Sequence, residues 1–419
     1  MEQQIERCAG LDVHQGTVVA CIRIAATGRK TRSETRTFET LPAGLRALRA
    51  WLQEQGATHA VMEGTGVYWI PVYTALEGAL DLTLANAHHV RNVPGRKTDV
   101  GDAAWLAQLL AHGLLRKSFV PPAEVRRIRD LTRFRINLVR ARATAANQLI
   151  KTLETYGLKI ASVVTDVLGA TGRALVRALA DGVTDAAALG NCARGTLRSK
   201  RPELAAAVAT PLAPHQRLLL DFALRRIEGA DREVAALDEV IAAALVPHAA
   251  LLDLVKTVTG LEVVSASALL GEIGVDMRAF ADAHHLASWA GLCPGQRESA
   301  GKSKGGKTRR GNPYVKRVMT QAAWAATRVK GSYAQAKYHR LKARSSAGTA
   351  LVAVAHKLLT AIYHMLLTGQ PYRDLGAQHI ERKDAARSAR RLVQRLEHLG
   401  YAVDLKPNNS EGGSAMSRS

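Results

Sequence analysis

AGLDVHQGTVVACIRI, residues 9–24, contains two apolar runs rich in β-branched side chains. The runs 9–13 and 17–24 are joined at Gln15 and Gly16, a pattern typical of two strands connected by a tight turn. Asp12 is therefore predicted to lie on a strand, close to the turn. The chain is expected to begin with a β-hairpin.

The residues that follow alternate between strand-like and helix-like runs. An apolar run at 60–62 ends at Glu63 and is followed by Gly-Thr-Gly, so Glu63 is expected to project from a strand end into a turn. The other predicted elements are strands at 35–38 and 82–85 and helices at 43–55 and 68–76. Three strands followed by alternating helices and strands is the order of a ribonuclease-H-like fold. This part of the chain is predicted to be α/β.

Four carboxylates occur where such a fold brings chain segments together: Asp12, Glu63, Asp99 and Asp102. The last two precede a helical apolar run at 103–110, and residues three apart share one helix face. Gathered carboxylates repel each other, so a cluster of them normally holds a hard divalent cation through oxygen ligands. Mg²⁺ is the expected ion, and two such ions can flank a phosphodiester. The alternative is that Asp99 and Asp102 only cap a helix start.

The composition points to a polyanionic partner. Lysine plus arginine number 58 against 36 acidic residues, which gives a formal charge of +22 and a pI of about 10.2. Phosphate neutralisation supplies most non-specific affinity for nucleic acid, although a membrane surface is a competing polyanion. From the sequence, no apolar stretch is expected to be long enough to span a bilayer, and the N-terminus lacks the layout of a secretory signal. A soluble, intracellular protein is therefore expected.

The cysteines show no paired spacing that would indicate a disulfide framework or a zinc site. They are Cys8, Cys21, Cys192 and Cys293. They are expected to be reduced thiols.

Two long helices are predicted in the middle of the chain. The first, at 125–156, is rich in arginine near its start, at positions 126, 127, 129, 133, 135, 140 and 142. The second, at 215–245, carries an a/d series of apolar residues at seven-residue spacing. The pair is predicted to form an antiparallel coiled coil, and the alternative is two core helices of an ordinary bundle.

A third region begins near residue 251. Val258-Thr259-Gly260-Leu261 between two helical runs resembles a helix-hairpin-helix, whose glycine turn offers backbone N–H groups to phosphates. Residues 301–308 satisfy the GxxxxGK[ST] phosphate-loop pattern, but no buried strand precedes them and a proline at 313 prevents a helix directly after Thr308. A basic loop that contacts nucleic-acid phosphates is the better interpretation. Local chemistry alone does not single out Ser299, at the entrance to this loop, as a nucleophile.

Four motifs occur in a fixed order: GLDVH at 10–14, MEGTG at 62–66, KTDVGDA at 97–103, and a late motif that runs from GLCP at 291–294 through ESAGK at 298–302. Together they resemble the insertion-sequence 110/1111 transposases, also called DEDD transposases, over residues 7–370. The resemblance implies a RuvC-like nuclease domain, a transposase domain that contributes a serine, and guidance by a bridge RNA. It also implies donor and target DNA as substrates, a dimer or tetramer, and a cytoplasmic, nucleoid-associated bacterial protein.

Carried onto this chain, the resemblance implies that Asp12, Glu63, Asp99 and Asp102 bind Mg²⁺ and that Ser299 attacks a DNA phosphodiester to form a phosphoserine. His14 is expected to have only a hydrogen bond to a neighbour. The residues predicted to contact nucleic acid are Arg126, Arg127, Arg133, Lys302, Lys304, Lys307, Arg309 and Arg310.

Four regions are expected from these patterns: a RuvC-like domain at 1–120, a helical coiled-coil region at 121–250, a mainly helical transposase domain at 251–375, and a basic helix with a disordered tail at 376–419. The leading alternative function is a metal-dependent Holliday-junction endonuclease, which would use water and need neither Ser299 nor a third domain. A non-catalytic nucleic-acid scaffold would have no reason to gather four acids. An actin-like kinase is also disfavoured, because this sequence shows no second phosphate-binding turn after a strand.

Overall fold

The computed structural model describes residues 4–26, 29–87, 90, 101–295, 298–299, 302–303 and 308–404. The chain divides into two compact units, Met1–Val120 and Pro121–Ser419. The first unit is α/β. In the part of the second unit that is described, the structure is almost entirely helical.

The first unit is built on a five-stranded sheet of order β3-β2-β1-β4-β5. Strands β1, β2 and β3 are antiparallel neighbours, whereas β4 pairs in parallel with both β1 and β5. The elements are β1 Arg7–Val13, β2 Thr17–Ala26, β3 Arg29–Glu39, α1 Pro42–Glu54, β4 His59–Glu63, α2 Trp69–Leu76, β5 Asp81–Ala85 and α3 Asp102–Ala111.

The element order predicted from sequence is confirmed, with one difference in length. Strand β3 runs from Arg29 to Glu39, whereas its apolar signal predicted only 35–38. The strand pairs with β2 alone and forms one edge of the sheet. An edge strand that faces solvent carries polar side chains, so periodicity does not reveal its full extent.

Helix α3 lies directly on β1, in the centre of the sheet. Alternate residues of a strand point to opposite faces, and Ala9 and Leu11 belong to the apolar cluster with α1 and α2. Cys8, on the other face, is in the cluster with the apolar residues of α3. An ideal Cβ at Gly10 would lie 2.0 Å from the carbonyl oxygen of Ala103 and 2.5 Å from the amide nitrogen of Ala107. Only glycine permits this approach.

The second unit contains thirteen helices among its described residues. They are α4 Ala123–Thr155, α5 Ile160–Val163, α6 Ala170–Ala180, α7 Ala186–Gly190, α8 Arg201–Ala207, α9 Pro214–Leu245, α10 Ala249–Lys256, α11 Val263–Ile273, α12 Ala283–Trp289, α13 Pro313–Ala326, α14 Tyr333–Lys342, α15 Ala347–Thr368 and α16 Gln378–His398. Two short strands, β6 Glu298–Ser299 and β7 Lys302–Ser303, form an antiparallel pair.

Helices α4 and α9 pack side by side in opposite directions. An apolar cluster at one end of the pair includes Leu149 and Leu224, and a smaller one at the other end includes Ile128 and Ile241. The residues between are only half-buried, and ion pairs hold them together. Arg135 Nη2 donates to Asp238 Oδ2 at 3.0 Å, and Asp231 accepts from Arg142 and, at 2.7 Å, from Arg173. The coiled coil stays a prediction, since its heptad seam is not a continuous core.

The glycine turn between α10 and α11 is present as predicted. Gly260 has φ of 87°, and a Cβ there would lie 2.7 Å from the carbonyl oxygen of Ala322 in α13. Its conformation therefore follows from packing inside the protein as well as from the turn. Phosphate binding by this turn stays a prediction.

Two helical stretches, Pro214–Lys256 and Ala347–Thr368, are long and apolar enough to cross a membrane by length and composition. The expectation that no stretch reaches that length was wrong. Helix α15 buries one side in the protein, including Leu358 and Leu359, and core helices pass the same test. The finding is weak support for a membrane span.

We expect Gly10→Ala to destabilise the first unit by about 1–3 kcal/mol or more, because the new methyl group must displace the backbone of α3. Gly16→Ala is the matched control, since a Cβ there meets nothing within 4 Å. Urea unfolding of both variants measures the difference. Equal midpoints would show that α3 can move away from β1 at little cost.

Candidate functional site

Asp12 lies near the end of β1, with its side chain 30% exposed. His14 Nε2 is 3.2 Å from Asp12 Oδ2. The two residues are two apart on an extended segment and share a face, which explains the contact. His14 thus contacts a neighbouring side chain, and that neighbour is one of the candidate metal ligands.

Glu63 is the last residue of β4, as predicted. Leu11 of β1 pairs with Met62 of β4 in parallel register, so Asp12 and Glu63 both come directly after this pair. Residues in equivalent positions of neighbouring parallel strands project from the same face of the sheet. The two carboxylates therefore occur side by side at one edge, and both residues are half-buried.

Asp102 is the first residue of α3 and is exposed. Gly101 is the N-cap of this helix, and Asp102 lies in the first turn, where a negative charge is favoured. Because Ala103 contacts Gly10, the start of α3 lies over β1 two residues before Asp12, on the same face. Asp99, the fourth predicted ligand, is outside the described residues.

The three described acids lie towards one edge of the sheet and do not form a tight cluster. Within the described part of the chain, they are not among the groups of three possible metal ligands whose donor atoms lie within 4.8 Å of one another. They share carboxylate oxygens on three separate elements, and none of the three residues is fully buried. Such a donor set suits a hard cation, which takes oxygen ligands and can draw them inwards.

Ser299 lies in β6 and pairs with Lys302 of the antiparallel strand β7. Pro294 and Thr308 form an isolated bridge at the base of the loop. Helix α13 begins only at Pro313, after its cap Asn312, so no helix starts at Thr308 as a phosphate loop would require. Nothing is described of the Ser299 side chain.

The segment that leaves this loop is held by a buried carboxylate, Glu272, whose residue is 1% exposed. Glu272 accepts two hydrogen bonds from Arg133, at 2.6 and 2.9 Å, and one from Asn312 Nδ2 at 2.6 Å. Arg129 Nε lies 3.5 Å from the same carboxylate and its Nη2 donates to the Glu272 carbonyl. Burial lowers the pKa of Arg129 to about 10, while Glu272 acts in the opposite direction.

The predicted nucleic-acid contacts have different surroundings in the structure. The Arg133 guanidinium is bound to Glu272 and lies 4.5 Å from the Tyr314 ring centroid, so much of its charge is already matched. Arg126 donates to the Pro121 carbonyl, while Arg127 is exposed. Arg309 and Arg310 are exposed beside the serine loop. The side chains of Lys302, Lys304 and Lys307 lie outside the described residues.

Sequence reasoning missed one group of side chains. His284, Cys293 and His356 have donor atoms that all lie within 4.8 Å of one another. The three come from separate segments with no motif spacing between them, so only the tertiary fold brings them together. A histidine nine residues before a cysteine was the sole signal in the sequence, and it is not specific.

Two transposase family models match the chain over two separate segments. Residues 9–158 match a model described as Transposase, and residues 252–339 match one described as Transposase IS116/IS110/IS902 family. A protein of Pseudomonas aeruginosa described as a probable family 20 transposase is 25% identical over 378 residues, which cover 89% of this chain and 97% of that protein. In this chain an α/β unit with acidic residues at one edge of its sheet is followed by a helical unit. Together with these matches, the two units define a DNA transposase. The chain belongs to the IS110 family of transposases.

We expect Glu272→Gln to destabilise the second unit by about 3–5 kcal/mol, because it removes the counter-charge of two arginines, one of them buried. Glu239→Gln, at an exposed position of α9, is the control and should leave the unfolding midpoint unchanged. Urea unfolding followed by circular dichroism measures both. A Glu272→Gln midpoint equal to that of the control would mean that the network adds nothing to stability.

Proposed function

We propose that this transposase exchanges DNA strands through a serine-linked intermediate at Ser299, with Asp12, Glu63, Asp99 and Asp102 holding Mg²⁺, and that a bridge RNA from its own element guides it. The single observation that carries the proposal is the placement of Asp12, Glu63 and Asp102. They come from the ends of two parallel strands and the start of the helix that covers them.

The sheet supports a RuvC-like, ribonuclease-H-like first domain. Three antiparallel strands are followed by two parallel ones in the order β3-β2-β1-β4-β5, with helices between the later strands. In this arrangement the acids at the ends of β1 and β4 are neighbours through the register of Leu11 and Met62. The domain boundaries that go with the proposal are 1–120, 121–250, 251–375 and 376–419.

The four acids fit a hard cation by their chemistry, since each offers carboxylate oxygens and the three described ones are accessible. A bound Mg²⁺ would polarise a phosphodiester of DNA and stabilise charge on a departing oxygen. His14, 3.2 Å from Asp12 Oδ2, would hold that carboxylate in one orientation. The positions of Asp12 and Glu63 near the ends of paired strands keep these two acids at a fixed spacing.

The serine step conserves the energy of the phosphodiester. The Ser299 hydroxyl loses its proton as Oγ bonds to phosphorus, and the bond from phosphorus to the 3′ oxygen breaks, so that this oxygen leaves and takes up a proton as a 3′ hydroxyl. The strand stays attached to Ser299 through its 5′ phosphate. Attack by a different 3′ hydroxyl reverses the step and rejoins the DNA, which requires no ATP.

The charge of the protein supports nucleic-acid partners, both donor and target DNA and a guide RNA. Exposed arginines lie beside the serine loop, at 309 and 310, and on α16, at 390, 391 and 395. Arg127 is an exposed member of the arginine-rich start of α4. A homo-oligomer, dimer or tetramer, would let acids of one subunit act with the serine of another.

The second candidate is a Holliday-junction nuclease that uses the same acids and water. The two functions differ in one product. A covalent protein–DNA adduct forms only if the chain itself supplies the nucleophile.

We expect Asp102→Asn to abolish strand cleavage while binding to DNA stays close to that of the wild type. One ligand charge is lost, whereas the basic surface is unchanged. Glu54→Gln, another exposed acid of the first unit, is the matched control and should cleave normally. Cleavage of labelled donor DNA and a gel-shift assay measure the two properties. Wild-type cleavage by Asp102→Asn would remove this residue from the metal site.

We expect Ser299→Ala to bind DNA and to co-purify with RNA like the wild type, but to form no covalent adduct and no recombinant product. Ser303→Ala is the matched control, since Ser303 is the opposite strand's hydroxyl in the same hairpin. Labelled donor DNA is separated under denaturing conditions after incubation with each variant. An adduct that survives in Ser299→Ala and is lost in Ser303→Ala would transfer the role to Ser303, and an adduct in both would exclude serine chemistry from this loop.

A further inference from the structure

The base of the serine loop lies beside a group of three side chains with metal-binding chemistry. His284 is on α12, Cys293 follows that helix, and His356 is on α15. Cys293 Sγ lies 4.0 Å from His284 Nδ1, and the donor atoms of all three residues are within 4.8 Å of one another. The two imidazole ring centroids are 6.3 Å apart.

We propose that His284, Cys293 and His356 bind a zinc ion that fastens the base of the serine loop to α12 and α15. One thiolate and two imidazoles form a ligand set that zinc accepts, with a fourth position for water. Zinc–sulfur and zinc–nitrogen distances in proteins imply donor atoms roughly 3.3–3.7 Å apart in a tetrahedral site. The donor atoms, which lie within 4.8 Å of one another, therefore need to approach by at most about 1–1.5 Å.

The protein backbone already holds these positions together. Leu292 N donates to the Ala287 carbonyl at 3.0 Å, which folds the chain back onto α12 just before Cys293. Cys293 is only 5% exposed, and His356 is half-buried on the neighbouring helix. Helix α15 is also tied to the segment before α12 by Tyr363, whose hydroxyl donates to the Phe280 carbonyl at 3.3 Å. Little reorganisation is required to bind an ion.

Two of the three side chains have shifted pKa values. Burial lowers the pKa of His356, and Lys357, His284 and Lys337 act in the same direction, which favours the neutral imidazole that ligates metals. Burial raises the pKa of the Cys293 thiol, although Arg309 opposes it. A thiol with a raised pKa, 4.0 Å from the nearest imidazole nitrogen, is a poor nucleophile. Zinc would displace its proton on binding.

The site connects to the loop through a single residue. Pro294, next to Cys293, bridges to Thr308, and the Cys293 carbonyl accepts from Arg309 N at 3.4 Å. Both strands at the base of the loop are therefore attached to the proposed ligand Cys293. The zinc site is independent of the roles proposed for Asp12, Glu63 and Asp102.

The test uses the full chain, stripped with a chelator and reloaded with zinc or cobalt. We expect one zinc per chain by elemental analysis, and a cobalt spectrum with intense visible bands of a tetrahedral ion and a near-ultraviolet thiolate charge-transfer band. Cys293→Ser should lose the charge-transfer band, and His356→Asn should lose stoichiometric zinc. Cys192→Ser and His364→Asn are the matched controls and should behave like the wild type.

The wild type alone also decides the proposal, in case a variant fails to fold. Zinc should raise its unfolding temperature reversibly, whereas magnesium should not. Absence of stoichiometric zinc and of a charge-transfer band in the wild type would overturn the proposal. Retention of the band by folded Cys293→Ser would also overturn it, since the thiolate would then come from another cysteine. Zinc lost in Asp102→Asn but kept in Cys293→Ser would place the ion at the acids instead.

Discussion

A buried carboxylate, Glu272, is the constraint on which the second unit depends. A charge at 1% exposure is tolerated only with partners that neutralise and hydrogen-bond it. Arg129 and Arg133 supply the charge from α4, and Asn312 supplies an amide from the start of α13. Three segments far apart in the sequence must therefore assemble around one side chain. The Asn312 side chain also caps α13, because its Oδ1 accepts hydrogen bonds from the backbone N–H groups of Tyr314 and Val315. One side chain therefore both binds Glu272 and marks where the serine loop ends.

Most of the first unit could be predicted because its core strands and helices are regularly patterned. The end of β4 at Glu63 follows from an apolar run that stops at an acid before two glycines. The edge strand β3 was underestimated because solvent replaces the apolar contacts that reveal inner strands. The pairing of Arg133 with Glu272 could not be predicted, since Glu272 belongs to another segment. For the same reason the group of His284, Cys293 and His356 has no sequence signature.

The net charge of +22 overstates the surface available to a polyanion. Several arginines of the second unit are held by acids of α9: Arg135 by Asp238, Arg142 and Arg173 by Asp231, and Arg177 by Asp221 and Glu228. The positive charge of these arginines is used in ion pairs that join α4 and α6 to α9. Other arginines, such as those at 127 and 310, are exposed to solvent.

The pairing of α4 with α9 also bears on how relatives of this protein can diverge. Each end of the pair has its own apolar cluster, while the stretch between relies on ion pairs such as Arg142 with Asp231. Inserting or deleting matched whole turns in that stretch would leave both ends intact and change only the distance between them. The stretch is thus a spacer between two independently packed ends, and its length can change without disturbing the packing at either end.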